Sequence, residues 1–556
     1  MLFENSKVLK PQDTRILRQK NNTYVYHVVS KTYIPEKKYY VYDKVCIGKM
    51  IDDEYMMPNE KFLLFYPEVE LGEQELPMFS NALKIGATSL IKKVLKDLGM
   101  DELLNNVYGD NATLIKDLIA YVIINETSVM QHYPDFAWEH LINDNKVKSD
   151  NVISQLFKEE MDSYNNQLFL LAWNKMCAEV DSKIYISYDS TNINTNATGV
   201  DLAEFGYAKD DDETPQINLS YACKHDDSTP LFYEMYPGSI IDNYQCKYMI
   251  DKAKEYGYSN VSFIFDRGYF SKGNIKYLRD NGCGYLMMIK QKSEMVKSIL
   301  DEVRMSLKLD YTNYVYGYNV RGITKSCKLF KDDKQDTYVH VFYDDTRAVK
   351  EVNQLLETIH KLEEELKNRV ENNKAVREEN LVKYKKYFNV SFCDKGYYKS
   401  YRLKEQEIKK TCDQMGYFVL ISSEEMTCQE ALSLYRDRDG IEKLFRNLKS
   451  GMGYSSFNVH TQQSIEAKTH LIFMANIVRN HIFQQTKKLK EKDNKSYTVP
   501  ALINQLDKIM VIKSQNNSYS RMYGLTAKQK KILDCFSIDN KYLNDEIDCL
   551  NKNLVI

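Results

Sequence analysis

Three acidic residues stand out by their surroundings. Asp189 closes the alternating run K-I-Y-I-S-Y-D, Asp266 ends the wholly apolar run V-S-F-I-F-D, and Glu442 lies within Y-R-D-R-D-G-I-E-K-L-F-R-N-L-K-S-G, from Tyr435 to Gly451. Each has an ordinary reading. An Asp at a strand end is commonly an Asx cap. Asp266 is followed by Arg267, a ready partner, and by Gly268, a turn former. Arg438 and Glu442 are four apart and could merely steady a helix by ~0.3–0.5 kcal/mol. Against this, a carboxylate at the end of a buried strand is costly unless paired or metal-bound, and the carboxyl ends of such strands are where sites gather.

Together the three would supply oxygen donors only, a set suited to hard divalent cations, Mg²⁺ or Mn²⁺. Two such ions about 4 Å apart activate a water or a 3′-hydroxyl and stabilise the leaving oxygen of a phosphodiester. Helix geometry sorts the charges of the third segment. At about 100° per residue, Leu434, Ile441, Phe445 and Leu448 share an apolar stripe, while Tyr435, Arg438, Glu442 and Lys449 share a second, offset by roughly a quarter turn. Asp437, Asp439 and Lys443 point elsewhere. In this reading Glu442 faces the two Asp, Arg438, Lys449 and Arg446 meet phosphates, and Tyr435 orients or stacks on DNA.

The elements that must carry these residues follow from periodicity. K-I-Y-I-S-Y-D, P-Q-I-N-L-S-Y-A-C and P-L-F-Y-E-M-Y-P-G read as three strands able to pair as a meander. Helix Y-Q-C-K-Y-M-I-D-K-A-K-E-Y-G, strand V-S-F-I-F-D, helix N-I-K-Y-L-R-D-N-G and strand G-Y-L-M-M-I-K come next, an α/β order with a mixed sheet. Residues of about 300–413 interrupt it: strands L-D-Y-T-N-Y-V-Y-G-Y-N-V-R-G and D-T-Y-V-H-V-F-Y-D-D, then Ala348, Val352, Leu355, Ile359, Leu362 and Leu366 at spacings of four and three, a helical-hairpin or coiled-coil arm. G-Y-F-V-L-I-S-S resumes the buried-strand pattern and leads into the Glu442 segment. The expected divisions are 1–85, β-rich; 86–180, helical; 181–299 and 414–490, the two parts of the α/β core; 300–413, the insertion; and 491–556, a more polar tail. The Tyr-, Val- and Lys-rich alternation of the first division fits a sheet laid on DNA and equally the ordinary packing of a small antiparallel sheet.

Composition narrows the setting. With 556 residues, 76 basic and 78 acidic side chains and a net charge of −2, the chain is a multidomain folded protein without an overall basic footprint, although its charges can still segregate into patches. The eleven cysteines form no C-x-x-C and the nine histidines no H-x-x-x-H, which speaks against a disulfide framework and a structural zinc site. No apolar run approaches the ~18–20 residues of a membrane span, and the N-terminus lacks a signal-peptide core. A cytoplasmic protein without a membrane partner is expected.

The spacing Y-x-x-R-x-x-x-E-x-x-x-x-x-x-K, carried by Tyr435, Arg438, Glu442 and Lys449, resembles the signature of the Y-R-E-K class of DDE transposases from bacterial insertion sequences. Y-D-S-T-N around Asp189 and F-D-R-G-Y around Asp266 are similar to that family's first two acids. G-Y-A-K-D…P-Q-I-N-L, Y-P-G-S-I-I-D-N, F-V-L-I-S-S and T-H-L-I-F-M-A-N fit as well, so the resemblance runs from about Lys183 to Phe483. It implies an RNase H-like mixed-sheet core, interrupted by a strand-plus-coiled-coil insertion and preceded by a small β-rich domain and a helical domain. It further implies metal-dependent cleavage at transposon ends and strand transfer into target DNA. Asp189, Asp266 and Glu442 would be the catalytic metal ligands, with two Mg²⁺ or Mn²⁺ ions, and Tyr435, Arg438, Arg446 and Lys449 the contacts to double-stranded DNA. A homodimer on DNA in the bacterial cytoplasm, nucleoid-associated when bound, would suit a task with two DNA ends. The sequence departs from the pattern in its acidic K-D-D-D-E turn and in having no Trp within the insertion. A nuclease of the same fold that cuts without joining, and an inactive DNA-binding descendant, are the alternatives. A tyrosine recombinase is excluded because no H-x-x-R occurs.

Overall fold

The computed structural model describes residues 7–19, 22–35, 38–59, 61–67, 69, 80–144, 146–178, 182–197, 199–206, 214–289, 294–372, 374, 378–493, 497–514 and 518–553. The K-D-D-D-E turn lies outside them. The chain divides into two compact units, Met1–Leu83 with Asn145–Val147, and Lys84–Asp144 with Lys148–Ile556.

The first unit is an antiparallel sheet of β1 (Val8–Leu9), β2 (Thr14–Gln19), β3 (Asn22–Ile34), β4 (Tyr39–Met50) and β5 (Tyr55–Pro58), in the order β1-β5-β4-β3-β2. One face packs on the short helix α1 (Phe62–Phe65): Val8, Val25, Ile47, Met56 and Phe62 make its small core. A short strand β6 (Ala82–Lys84) follows.

The second unit opens with helices α2 (Gly86–Asp97), α3 (Met100–Tyr108), α4 (Ala112–Asn125), α5 (Tyr133–Glu139), α6 (Asp150–Glu159) and α7 (Ser163–Cys177). Helix α4 is apolar almost all round and buried accordingly. Helix α7 grips the sheet that follows: Trp173 Nε1 and Asn174 Nδ2 donate to the carbonyls of Pro230 and Leu231.

That sheet begins with β7 (Ile184–Asn194), β8 (Gln216–Lys224) and β9 (Pro230–Pro237), an antiparallel meander. Helix α8 (Asp242–Glu255), strand β10 (Val261–Phe265), helix α9 (Lys272–Asp280) and strand β11 (Gly284–Ile289) come next, with β10 parallel to both β7 and β11. After α10 (Glu294–Leu309), strands β12 (Tyr314–Val315), β13 (Val320–Cys327) and β14 (Thr337–Tyr343) rejoin the same sheet. This differs from the expectation that these strands belong to an insertion. They extend the core sheet because β17 (Tyr417–Ser422) lies between β14 and β11, antiparallel to both. The order is β12-β13-β14-β17-β11-β10-β7-β8-β9.

What leaves the sheet is the segment between β14 and β17: α11 (Asp345–Glu371), α12 (Glu378–Lys385), the hairpin β15 (Phe388–Phe392) with β16 (Tyr398–Leu403), and α13 (Glu405–Asp413). The expected coiled coil is corrected here. Leu355, Ile359 and Leu366 of α11 are buried against Leu381, Tyr384, Phe388, Tyr398 and Ile408 of this same segment. A four–three spacing marks any helix with one buried face, and here the other side of the seam is a short helix and a hairpin.

Helices α14 (Cys428–Asp437) and α15 (Asp439–Arg446) cross one face of the sheet, where Ala431, Leu432 and Tyr435 pack with Ile264, Leu286, Phe342, Phe418 and Leu420. The long α16 (Gln462–Asp493) ties this region to the first helices through an Arg479–Glu126 ion pair at 2.8 Å. The described residues after α16 are mostly helix and hairpin rather than loose tail. Helix α17 (Val499–Leu506), hairpin β18 (Met510–Lys513) with β19 (Tyr519–Arg521), α18 (Ala527–Asp534) and α19 (Asn540–Asn553) fold back, and the Ile509 carbonyl accepts from the amides of Ile85 and Gly86. Among the described residues no helix is long and apolar enough to cross a membrane.

Candidate active site

Asp189 is not at the end of its strand. β7 continues through Ser190–Asn194, paired residue for residue with β8, so the Asx-cap reading does not apply. The side chain lies on the face toward α15, with Oδ1 accepting the Ser190 amide at 2.9 Å. Two residues earlier on that face, Ser187 Oγ shares a hydrogen bond of 2.8 Å with Nδ1 of buried His225. Burial holds the His225 imidazole below its ordinary pKa, against the pull of Asp437 and Asp226. Ser187 is legible as a neighbour of Asp189 by alternation; His225 carries no sequence signal and comes to light only in the structure.

Asp266 directly follows β10. Ile264 pairs with Ser187 on the neighbouring parallel strand, and Asp266 and Asp189 each stand two residues farther along. Arg267 is exposed, and Asp266 Oδ1 accepts the Tyr435 hydroxyl at 3.0 Å.

The third segment departs from the unbroken helix assumed on the wheel. It breaks between α14 and α15 at Arg438, and Asn447–Gly451 winds as a π-helical turn. Thr427 and Glu430 start it with a reciprocal capping box. Gly440 allows α15 to approach the β8–β9 turn, since a Cβ there would collide with Ser228 Oγ. Ile441, Phe445 and Leu448 are buried, and Asp437, Asp439 and Lys443 are exposed.

Tyr435 and Arg438 lie deeper than the margin expected for DNA contacts, at 9% and 8% exposure. They face the acids. Arg438 Nη1 donates to Asp189 Oδ2 at 3.2 Å and Nη2 to Glu442 Oε1 at 3.0 Å, so one guanidinium joins the first acid to the third. Burial pulls the Arg438 pKa down, but Asp189, Tyr435, Asp266 and Glu442 outweigh it and the net shift is upward. Burial, then Asp266, raises the Tyr435 phenol, so it stays a hydrogen-bond donor. Glu442 keeps about half of its side chain in solvent, at 51%. Arg446 is exposed at the end of α15, and Lys449 is half-buried in the π turn. The structure thus gathers Asp189, Asp266, Glu442, Tyr435 and Arg438, with Arg446 and Lys449 farther along the same segment.

The donor set fits a hard divalent cation in kind, being carboxylate oxygen throughout. In the present arrangement Arg438 and Tyr435 hold these oxygens, and among the described residues no group of three or more His, Cys, Asp or Glu is close enough to hold a metal ion.

Residues 182–477 match the family described as the transposase DDE domain, more than half of the chain. The chain belongs to this family. No curated protein matches it. Among solved structures it is similar to the piggyBac transposase in a synaptic complex with hairpin DNA, at 8% identity over 83% of this chain and 82% of that one, with a TM-score of 0.35. A likeness that weak carries no argument about site or mechanism.

Proposed function

We propose that the chain is the transposase of a bacterial insertion sequence, cleaving phosphodiester bonds at the ends of its element and transferring the freed strand into target DNA. The observation that carries this reading is the linkage of Asp189, Asp266 and Glu442 through Tyr435 and Arg438, three acids from three elements joined by the side chains of one helical segment. The sheet order β9-β8-β7-β10-β11, antiparallel and then parallel, supports an RNase H-like core with Asp189 on its first strand. In this reading the working divisions are 86–180 as scaffold, 181–299 and 414–490 as the core, with β12–β14 of the 300–413 region joining that core and only the segment between β14 and β17 left as the insertion, and 491–556 as the C-terminal region. The protein works as a homodimer on DNA in the cytoplasm.

Asp189, Asp266 and Glu442 would hold two Mg²⁺ or Mn²⁺ ions. Bound there, such ions supply activation of a water or 3′-hydroxyl and stabilisation of the leaving oxygen. The chain's own groups position the acids and meet the substrate. Tyr435 orients the Asp266 carboxylate, and Arg438 sets Asp189 and Glu442 relative to each other. Arg446 and Lys449 offer cations to the DNA phosphates, joined by Arg438 once its fork turns from carboxylate to phosphate.

Incubation of the protein with the terminal DNA of its own element and Mg²⁺ tests this. Cleavage with joined product is expected. Cleavage without joining supports a nuclease, and binding without cleavage an inactive descendant; either result overturns the proposal.

A further inference from the structure

The hairpin of β3 and β4 outgrows its sheet. Strand β2 pairs with β3 only from Asn22 to His27, and β5 with β4 only from Gly48 to Met50. Beyond them Val28–Ile34 and Tyr39–Lys44 pair with each other alone, a two-stranded ribbon of roughly 20 Å at ~3.4 Å per residue.

Its two faces differ. Cross-strand partners share a face, so the pairs Lys31–Tyr42 and Tyr33–Tyr40 lie on one side and Thr32–Val41 and Ser30–Asp43 on the other. The first side continues onto the sheet through Lys44, Tyr26 and Arg15, opposite the face that covers the small core. There the cations lie over the rings: Arg15 is 3.4 Å from the centroid of Tyr42, Lys31 4.1 Å from Tyr40 and Lys44 5.0 Å from Tyr26. Tyr33 and Tyr40 remain 48% and 46% exposed. Asp43, the acid of the ribbon's described residues, points to the other side.

We infer that this ribbon is a second nucleic-acid-binding element, seating its Tyr/Lys/Arg face in the major groove of B-form DNA. Charge complementarity selects a polyanion, since the face carries Arg15, Lys31 and Lys44 and, among the ribbon's described residues, no carboxylate on that side answers them. Shape selects the duplex. A B-form major groove, about 12 Å wide, admits a two-stranded ribbon, whereas the deep, narrow major groove of A-form RNA does not. Tyr33 and Tyr40 give apolar rings for base edges and thymine methyls, and the cations reach the flanking phosphates. The inference rests on the ribbon's own geometry and shares with the proposed function only the identity of the polymer.

The full-length protein is titrated against a labelled mixed-sequence DNA duplex, with an RNA duplex and single-stranded DNA of the same sequence as competitors. Lys31→Ala and Tyr40→Ala should each weaken duplex binding roughly tenfold, and Lys31→Ala should also make the salt dependence shallower by about one phosphate contact. Thr32→Ala, on the opposite face, should bind as the parent does. Parental affinity in folded Lys31→Ala and Tyr40→Ala overturns the inference, as does a preference of the parent for RNA or single strands. Should Tyr40→Ala fold poorly by its melting profile, Lys31→Gln and Arg15→Gln decide in its place. Ribbon-dependent binding without cleavage sinks the transposase reading and leaves the ribbon standing; cleavage with ribbon-independent binding does the reverse.

Discussion

The Tyr435 hydroxyl donates to Asp266 Oδ1 at 3.0 Å, from a helix that reaches the sheet 169 residues later in the chain. The ring is buried and the hydroxyl meets the acid just past β10, so packing and chemistry can be separated at this one side chain. Tyr435→Phe keeps the ring and removes the bond. It should lower stability by only about 1 kcal/mol and slow DNA cleavage by about tenfold, read by thermal unfolding beside a cleavage time course. An equal effect of Tyr435→Phe and Tyr435→Leu on cleavage would show that the hydroxyl is idle.

Arg438 makes a sharper case, because removing it leaves Asp189 and Glu442 facing each other. With Asp189 largely buried, Arg438→Ala should cost on the order of 3 kcal/mol, somewhat less for the half-exposed Glu442 side. Added Mg²⁺ should then raise the melting temperature of Arg438→Ala more than that of the parent, since the guanidinium that bridges Asp189 and Glu442 is gone. Equal Mg²⁺ responses would mean that the guanidinium and the metal do not compete.

The three acids are expected to be needed for chemistry and dispensable for binding. Asp189→Asn, Asp266→Asn and Glu442→Gln should each reduce cleavage by at least about a thousandfold while holding terminal DNA with near-parental affinity. Retained cleavage in any one of them removes that residue from the catalytic set.

Gly440 and Ser228 form a coupled pair across the joint that carries Glu442. Ser228 sits at φ +58°, and a Cβ on Gly440 would collide with its hydroxyl. Gly440→Ala should destabilise by about 1–3 kcal/mol. Ser228→Gly should relieve a left-handed strain of about 1 kcal/mol, and the double variant should recover most of the loss. Additive losses in a double-mutant cycle would refute the contact.

Acid sensitivity should trace in part to His340. It is fully buried between Thr324 Oγ1 and Ser422 Oγ, and burial lowers its pKa from 6.5 to about 4. Between about pH 4 and 6.5 the unfolded chain therefore binds the extra proton, and stability rises with pH across that window. Unfolding midpoints should fall as pH drops below 6.5, and His340→Gln should flatten that slope by up to about 3 kcal/mol in total. An unchanged slope in His340→Gln would show that other groups govern the acid limb.

Much of this architecture is legible in the sequence because its signals are local. The runs carrying Asp189 and Asp266, the capped helix of Tyr435 and the apolar stripe of Ile441, Phe445 and Leu448 all announce themselves by period. What is not legible depends on partners distant in sequence. The spacing of Tyr435, Arg438 and Glu442 places them on one side of a helix but cannot say whether that side meets solvent, DNA or a neighbouring strand. Here Tyr435 and Arg438 meet Asp266 and Asp189. Strands β12 to β14 read as an insertion for the same reason: β17, which draws β14 into the sheet, follows the whole Asp344–Gly416 segment. The π turn at Asn447–Gly451 has no periodic signature, so a uniform helical wheel does not describe the backbone that carries Lys449.

The place of β17 also sets an order of events during folding. Because it lies between β14 and β11, the sheet emerges from the ribosome as two incomplete halves, and their meeting edges stay unpaired until residue 422 has been made. Closing that gap requires Asp344–Gly416 to bring its ends together, which the self-contained core around α11 favours by shortening the effective loop. Helices α14 and α15, the second of them bearing Glu442, come next after β17. The third acid can therefore dock only on a sheet that is already whole, and a chain stalled before that point carries two carboxylates and no site.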